Sequence, residues 1–130
     1  MSTLAERFVA ALAALDLDEV RACLAPGAMF WVNIGPTEHT AEQRLAVLEL
    51  ERHHVATHEA LEHRITPTDH GFVVQMTSTG TTTSGRAMSV AVCLVVTVSG
   101  DQITRVAEYA DSAAAAPLIE EIYGERRVTS

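Results

Sequence analysis

Basic charge is scarce in this chain. Lys and Arg total nine against 17 Asp and Glu, and the formal net charge is −8. A nucleic-acid partner requires a basic footprint for its phosphates, so that class is excluded, and the same balance argues against an anionic membrane surface. Long hydrophobic runs are missing as well. The most apolar stretch, "MSVAVCLVVTV", has the length of one strand and is too short to cross a bilayer. The two cysteines, Cys23 and Cys93, make neither a disulfide framework nor a CxxC pair, and their apolar neighbours predict buried, reduced thiols. The opening "MSTLAERFVAALAAL" lacks a basic leader and is interrupted by Glu6, so it does not read as a secretory signal. Together these absences predict a cytoplasmic protein.

What is present suffices for one domain with a sizeable core: 130 residues, 48% hydrophobic and 20% charged. Leu4, Phe8, Leu12 and Leu15 recur at helical spacing, and Thr3 with Glu6 forms a capping box ahead of them. Asp16 caps a second short helix that "APG" ends. "AMFWVNI" reads as a strand closed by Gly35-Pro36. Thr40 and Gln43 cap a third helix, with Ala41, Leu45, Leu48, Arg52 and Val55 on one face, running to about His58. The period then falls to two. "ALEHRI", "FVVQMTSTG", "RAMSVAVCLVVTV" and "ITRVAEYAD" read as four strands in hairpin succession. A short helix follows, with Asp111 as its cap, Pro117 in its first turn and Gly124 as its stop. Helices first and an antiparallel sheet after is the logic of an α+β fold.

Four of six histidines crowd into "HHVATHEALEH", at His53, His54, His58 and His63. The stretch mimics the zinc motif HExxH, but His58 and His63 are five apart, which turns them about 140° from each other on a helix. His54 and His58 have compatible spacing but lack a third ligand, and catalytic zinc takes three. No metal site is expected. A solvated helix end, where His meets the negative end of the helix dipole, accounts for the cluster. His63 alone is a candidate to face inward.

The opening "AERFVAALAALDLDEVRACLAPGAMFWVNIG" and the closing "GDQITRVAEYAD" resemble the nuclear transport factor 2-like superfamily, including its SnoaL-like domains, over roughly residues 4–112. That resemblance implies a curved antiparallel sheet wrapped around helices as a cone-shaped pocket, in a single SnoaL-like domain over residues 1–130, and commonly a dimer. It is poorly specific for function. Ketosteroid isomerase chemistry would need polar groups where this chain has Phe8, Val32 and Leu94. Against limonene epoxide hydrolase, the final aspartate corresponds to Glu108, the arginine and first aspartate fall near Thr77 and Thr79, and the tyrosine and asparagine near Trp31 and Asn33. SnoaL-like cyclases use a single carboxylate as acid/base, a part that Glu108 also fits.

Strand alternation puts Thr104, Val106, Glu108 and Ala110 on one face of the last strand, and the resemblance makes that face concave. A carboxylate among small apolar neighbours is partly desolvated, which raises its pKa. The expected site has Glu108 as the catalytic residue, with Trp31, Asn33, His63, Gln75, Thr77, Thr79, Met88, Val90, Val92 and Val106 lining a small-molecule pocket. Plainer readings stand beside it: Glu108 as a carboxylate paired with Arg, Trp31 as core, the Thr-rich stretch as strand and hairpin propensity. The expected function is a cofactor-independent cyclase, isomerase or hydratase-like activity on a hydrophobic polyketide- or terpenoid-like molecule. The alternative is a non-catalytic ligand-binding dimer with the same pocket. A homodimer is expected because "AMSVAVCLVVTV" is apolar on both faces.

Overall fold

In a computed structural model, which describes residues 2–34 and 37–124, the chain runs α1 (Leu4–Ala14), α2 (Leu17–Ala22), β1 (Leu24–Val32), β2 (Thr37–Thr40), α3 (Ala41–His54), β3 (Val55–Thr68), β4 (Gly71–Thr82), β5 (Ala87–Ser99), β6 (Gln102–Ala110) and α4 (Ser112–Tyr123). The helix starts follow their capping chemistry. Thr3–Glu6 and Thr40–Gln43 are complete capping boxes, and the Asp16 carboxylate accepts from the Glu19 N–H. Asp111 caps α4 by accepting from the Ala113 and Ala114 N–H groups, and Gly124 ends it at φ 67°.

The six strands form one curved, unclosed sheet in the order β2-β1-β6-β5-β4-β3. The hairpins are antiparallel as expected, while β1 runs parallel to β6, so the sheet is mixed. Strand β2 was not foreseen. It is short and polar, and it is held at the sheet edge by its ladder to β1 and by an Arg105–Glu38 ion pair at 2.7 Å. The expected Gly35-Pro36 closure lies outside the described residues. Three other boundaries also differ. Helix α3 stops at His54 and the backbone turns extended at Val55, four residues before the expected His58. Strand β1 starts at Leu24, absorbing "APG". Pro117 lies inside α4 beyond its first turn.

The helices cover one face of the sheet. Phe8, Val20, Leu94, Ile103, Val74 and Val106 are fully buried in the shared core. Along β4 the buried positions are Phe72 and Val74, along β5 Val90, Leu94 and Val96, along β6 Ile103 and Val106. The register locks these together: Val74 pairs with Leu94, and Val96 pairs with both Phe72 and Val106. Among the described residues, no helix is long and apolar enough to cross a membrane.

Candidate active site

Glu108 occupies the inner face of β6, between Leu94 on β5 and Val32 on β1 in the pairing register. Both neighbours are buried. The carboxylate does not stand alone among them. Arg44 of α3 places Nη2 at 3.2 Å from Oε1 and 3.4 Å from Oε2. The two side chains are only 13% and 20% exposed, so this pair is far less solvated than the surface ion pairs.

The helix supplies a second carboxyl to the same place. Arg44, Leu48 and Glu51 recur at helical spacing on the side of α3 turned to the sheet. Leu48 is buried, and the Glu51 Oε2 atom is buried without a hydrogen-bond partner among the described residues. Burial works against the charge of Arg44, but Glu108 and Glu51 outweigh it and hold the guanidinium more basic than usual. Burial pushes the Glu51 carboxyl above the ordinary carboxylate range, with Glu108 adding to the shift and Arg44 and His58 opposing it. Sequence reasoning looked for a desolvated carboxyl at Glu108 and did not foresee the one at Glu51.

His58 completes the interior polar groups. Its Nδ1 lies 2.7 Å from the Ala13 carbonyl, which can only accept, so Nδ1 carries the proton. Its Nε2 lies 2.7 Å from Ser78 Oγ, and in the neutral ring it accepts from that hydroxyl. His58 thus ties α1 to β4 across the inner face. The rest of the cluster behaves as a helix end: His54 Nδ1 reaches the Leu50 carbonyl at 2.8 Å, and His53 Nε2 lies 3.1 Å from Glu49. Among the described residues no group of three or more His, Cys, Asp or Glu is arranged to hold a metal ion.

Of the expected lining residues, Met88, Val90, Val92 and Val106 share the inner parity with Leu94 and Glu108. Gln75, Thr77 and Thr79 do not. They pair with Cys93, Ala91 and Ser89 and face outward, because the inner parity of β4 is taken by Phe72, Val74, Met76 and Ser78. Trp31 is also outward, between the inward Phe30 and Val32, with its ring 5.1 Å from that of Tyr109. Asn33 has a structural bond pattern: its side-chain amide donates to the Ala110 carbonyl and accepts from the Ala110 N–H, both at 3.0 Å, extending the β1–β6 ladder. His63 is exposed, in the β-bulge between Leu61 and Arg64 where Glu62 has φ 54°. Cys23 is buried, whereas Cys93 is only half-buried on the outer face.

The outward residues frame an open groove of about 460 Å³ lined by Asn33, Gln75, Thr77, Cys93, Tyr109 and Asp111 among others. Met76, Val92 and Ala110 also line it, and none of Arg44, Glu51 and Glu108 does. A second groove, of about 530 Å³, lies between the end of α1, α2 and α3, where Arg21 and Arg52 pair with Glu42 and Glu49. Neither holds the buried titratable cluster, whose perturbed acidity makes it a separate candidate for a functional site.

Sequence reasoning missed Arg44, Glu51 and His58 as a set. A signal for the first two was present: two charged residues bracket Leu48 on the apolar stripe of α3, where an amphipathic helix normally places only apolar side chains.

A family model described as a SnoaL-like domain matches residues 5–106. No curated protein matches the chain. Among solved structures, an NTF2-like protein of unknown function from Burkholderia pseudomallei is 20% identical, with a TM-score of 0.76 over 89% of this chain and 94% of that one. A candidate polyketide cyclase from Pseudomonas putida is 14% identical, with a TM-score of 0.76 over 91% and 98%. An LEH-like epoxide hydrolase from M. tuberculosis is 22% identical, with a TM-score of 0.70 over 98% and 94%.

Proposed function

This chain belongs to the SnoaL-like domain family of the nuclear transport factor 2-like superfamily, and we propose that it acts on a small hydrophobic molecule by acid/base chemistry at Glu108. The observation that carries this reading is the Arg44–Glu108 pair on the inner face, both side chains largely withdrawn from solvent. A buried ion pair repays its desolvation poorly, and apolar residues of similar volume are often as stable or more so. A carboxylate base with an adjacent fixed cation is what proton abstraction requires: Glu108 accepts a proton from an activated carbon or a water, and Arg44 stabilises the negative charge that develops on a substrate oxygen. The same proton then returns from Glu108 to the product, so no cofactor is needed. Cyclisation, isomerisation and water addition all fit that sequence. The names of two structural neighbours, a candidate polyketide cyclase and an epoxide hydrolase, support a polyketide- or terpenoid-like substrate with Met88, Val90, Val92 and Val106 as apolar lining. The test is turnover of a panel of neutral epoxides and polyketide-type β-dicarbonyls by wild type and Glu108→Gln. Loss of turnover in the variant supports the assignment, and undiminished turnover refutes it.

One observation favours a second reading, a ligand-binding protein without chemistry: both Glu108 oxygens already face Arg44. Both readings share a homodimer formed through the outer sheet face, where Leu61, Val95 and Tyr109 are exposed to 42%, 42% and 47%.

A further inference from the structure

Glu51 is the interior group that acid/base chemistry at Glu108 leaves without a task. Its Oε2 is buried and, among the described residues, unpartnered, an arrangement that costs stability unless something else compensates. A leucine at this position would extend the apolar stripe of α3 at no such cost. The charged and titratable groups that face it are Arg44 on its own helix, Glu108 on β6 and His58 on β3. Each is already engaged. Arg44 donates to Glu108, and both ring nitrogens of His58 are taken by Ala13 and Ser78. Glu51 is therefore surrounded by groups that feel its charge but make no hydrogen bond to it.

We propose that Glu51 is a specificity residue: its carboxyl O–H donates a hydrogen bond to an acceptor oxygen of a neutral ligand, a ketone, ester or epoxide, held beside the Arg44–Glu108 pair. Anionic ligands are rejected, because an incoming carboxylate or phosphate meets Glu108 while Arg44 is already neutralised by it. The inference rests on the interior position of the ligand site proposed above. It differs from that proposal in what Glu51 does, which is to choose and orient the ligand without exchanging a proton with it. Burial, which pushes the Glu51 carboxyl above the ordinary carboxylate range, favours the protonated form that this donor role needs.

The test is binding of a matched pair, acetonaphthone (neutral ketone) and naphthoate (its anionic counterpart), measured by calorimetry on wild type, Glu51→Gln, Glu51→Leu and Glu108→Gln. Wild type is expected to bind the ketone saturably and naphthoate at least tenfold more weakly. Glu51→Gln keeps a donor and should retain ketone binding, whereas Glu51→Leu should lose tenfold or more. Ketone affinity of wild type should fall as pH rises and Glu51 ionises, while that of Glu51→Gln stays flat. If Glu51→Leu does not fold, infrared spectroscopy of wild type against Glu51→Gln replaces it: the carbonyl stretch of a protonated carboxyl should be present in the first and absent in the second. Equal or tighter binding of naphthoate, wild-type affinity in Glu51→Leu, absence of that infrared band, or no binding of either compound overturns the proposal. Glu108→Gln separates the two claims. Full turnover by this variant refutes the acid/base reading, whereas the Glu51 claim is decided by wild type, Glu51→Gln and Glu51→Leu, all of which keep Glu108.

Discussion

Arg44 and Glu108, 64 positions apart in sequence, meet at 3.2 Å on the inner face of the sheet. Helix α3 is thereby tied to the last strand at a point where both partners have lost most of their water. Removing one partner of such a pair strands the other. Arg44→Met should destabilise the fold by about 3 kcal/mol or more, since it leaves Glu108 without its cation and removes the positive charge facing Glu51. Urea denaturation of this variant against the double variant Arg44→Met/Glu108→Leu checks the claim: the double variant should recover part of the loss.

Glu51 gives a pH signature with a definite sign. Burial raises its folded-state pKa above the unfolded value. The folded state therefore holds an extra proton between the two values, and stability falls as pH rises through that window. Chemical denaturation from the ordinary carboxylate range upward should show wild type losing stability relative to Glu51→Gln. Parallel curves for the two proteins would contradict the burial of a carboxyl here.

Glu121 on α4 gives the opposite sign at lower pH. It accepts from the Thr83 and Ser84 hydroxyls and the Ser84 N–H in the β4–β5 turn, and these bonds lower its pKa to about 2. Their stabilising effect is fully present above the unfolded value and is lost as pH falls towards about 2. Glu121→Gln should be less stable than wild type at neutral pH, and the difference should shrink on acidification. Thermal denaturation across that range measures it.

Gly80 pairs with His58 just past the irregularity between Val55 and Thr57, and a Cβ there would overlap the Thr57 carbonyl oxygen. Because the obstacle is backbone, Gly80→Ala should cost about 2 kcal/mol or more and loosen the His58–Ser78 contact. Loss of slow amide exchange along β3 would be the direct sign.

Trp31 sits beside Tyr109 on the outer face, so its emission should follow association of two copies and not ligand entry on the inner face. Dilution through the dissociation range should shift Trp31 fluorescence, and Val95→Glu should abolish the shift and sediment as a monomer. A concentration-independent spectrum with monomeric sedimentation of wild type would remove the dimer.

Much of the fold was legible because its determinants are local. Capping boxes mark two helix starts, and the change of period marks the hairpin region. The site was less legible, for reasons visible in particular residues. Glu108 and Val106 follow from simple alternation along β6. Gln75, Thr77 and Thr79 were placed inward by strand parity, but burial of Phe72, Val74 and Met76 sets the opposite parity. Trp31 fell to the same rule, since Phe30 and Val32 claim the inner face. Arg44 and Glu51 belong to a helix whose period reads as amphipathic with Arg52 on the apolar side, and only the packed structure shows which edge of that stripe turns inward. The β1–β6 pairing joins distant segments and leaves no local trace.

The central claim is that ligands bind inside, at Arg44, Glu51 and Glu108, and not in the outer groove. The most direct measurement is side-chain nitrogen–proton NMR during titration with acetonaphthone. The account predicts that the Arg44 Nε–H resonance shifts saturably while the side-chain amide of Gln75, in the outer groove, stays fixed. A saturable shift of Gln75 with Arg44 unmoved would contradict it.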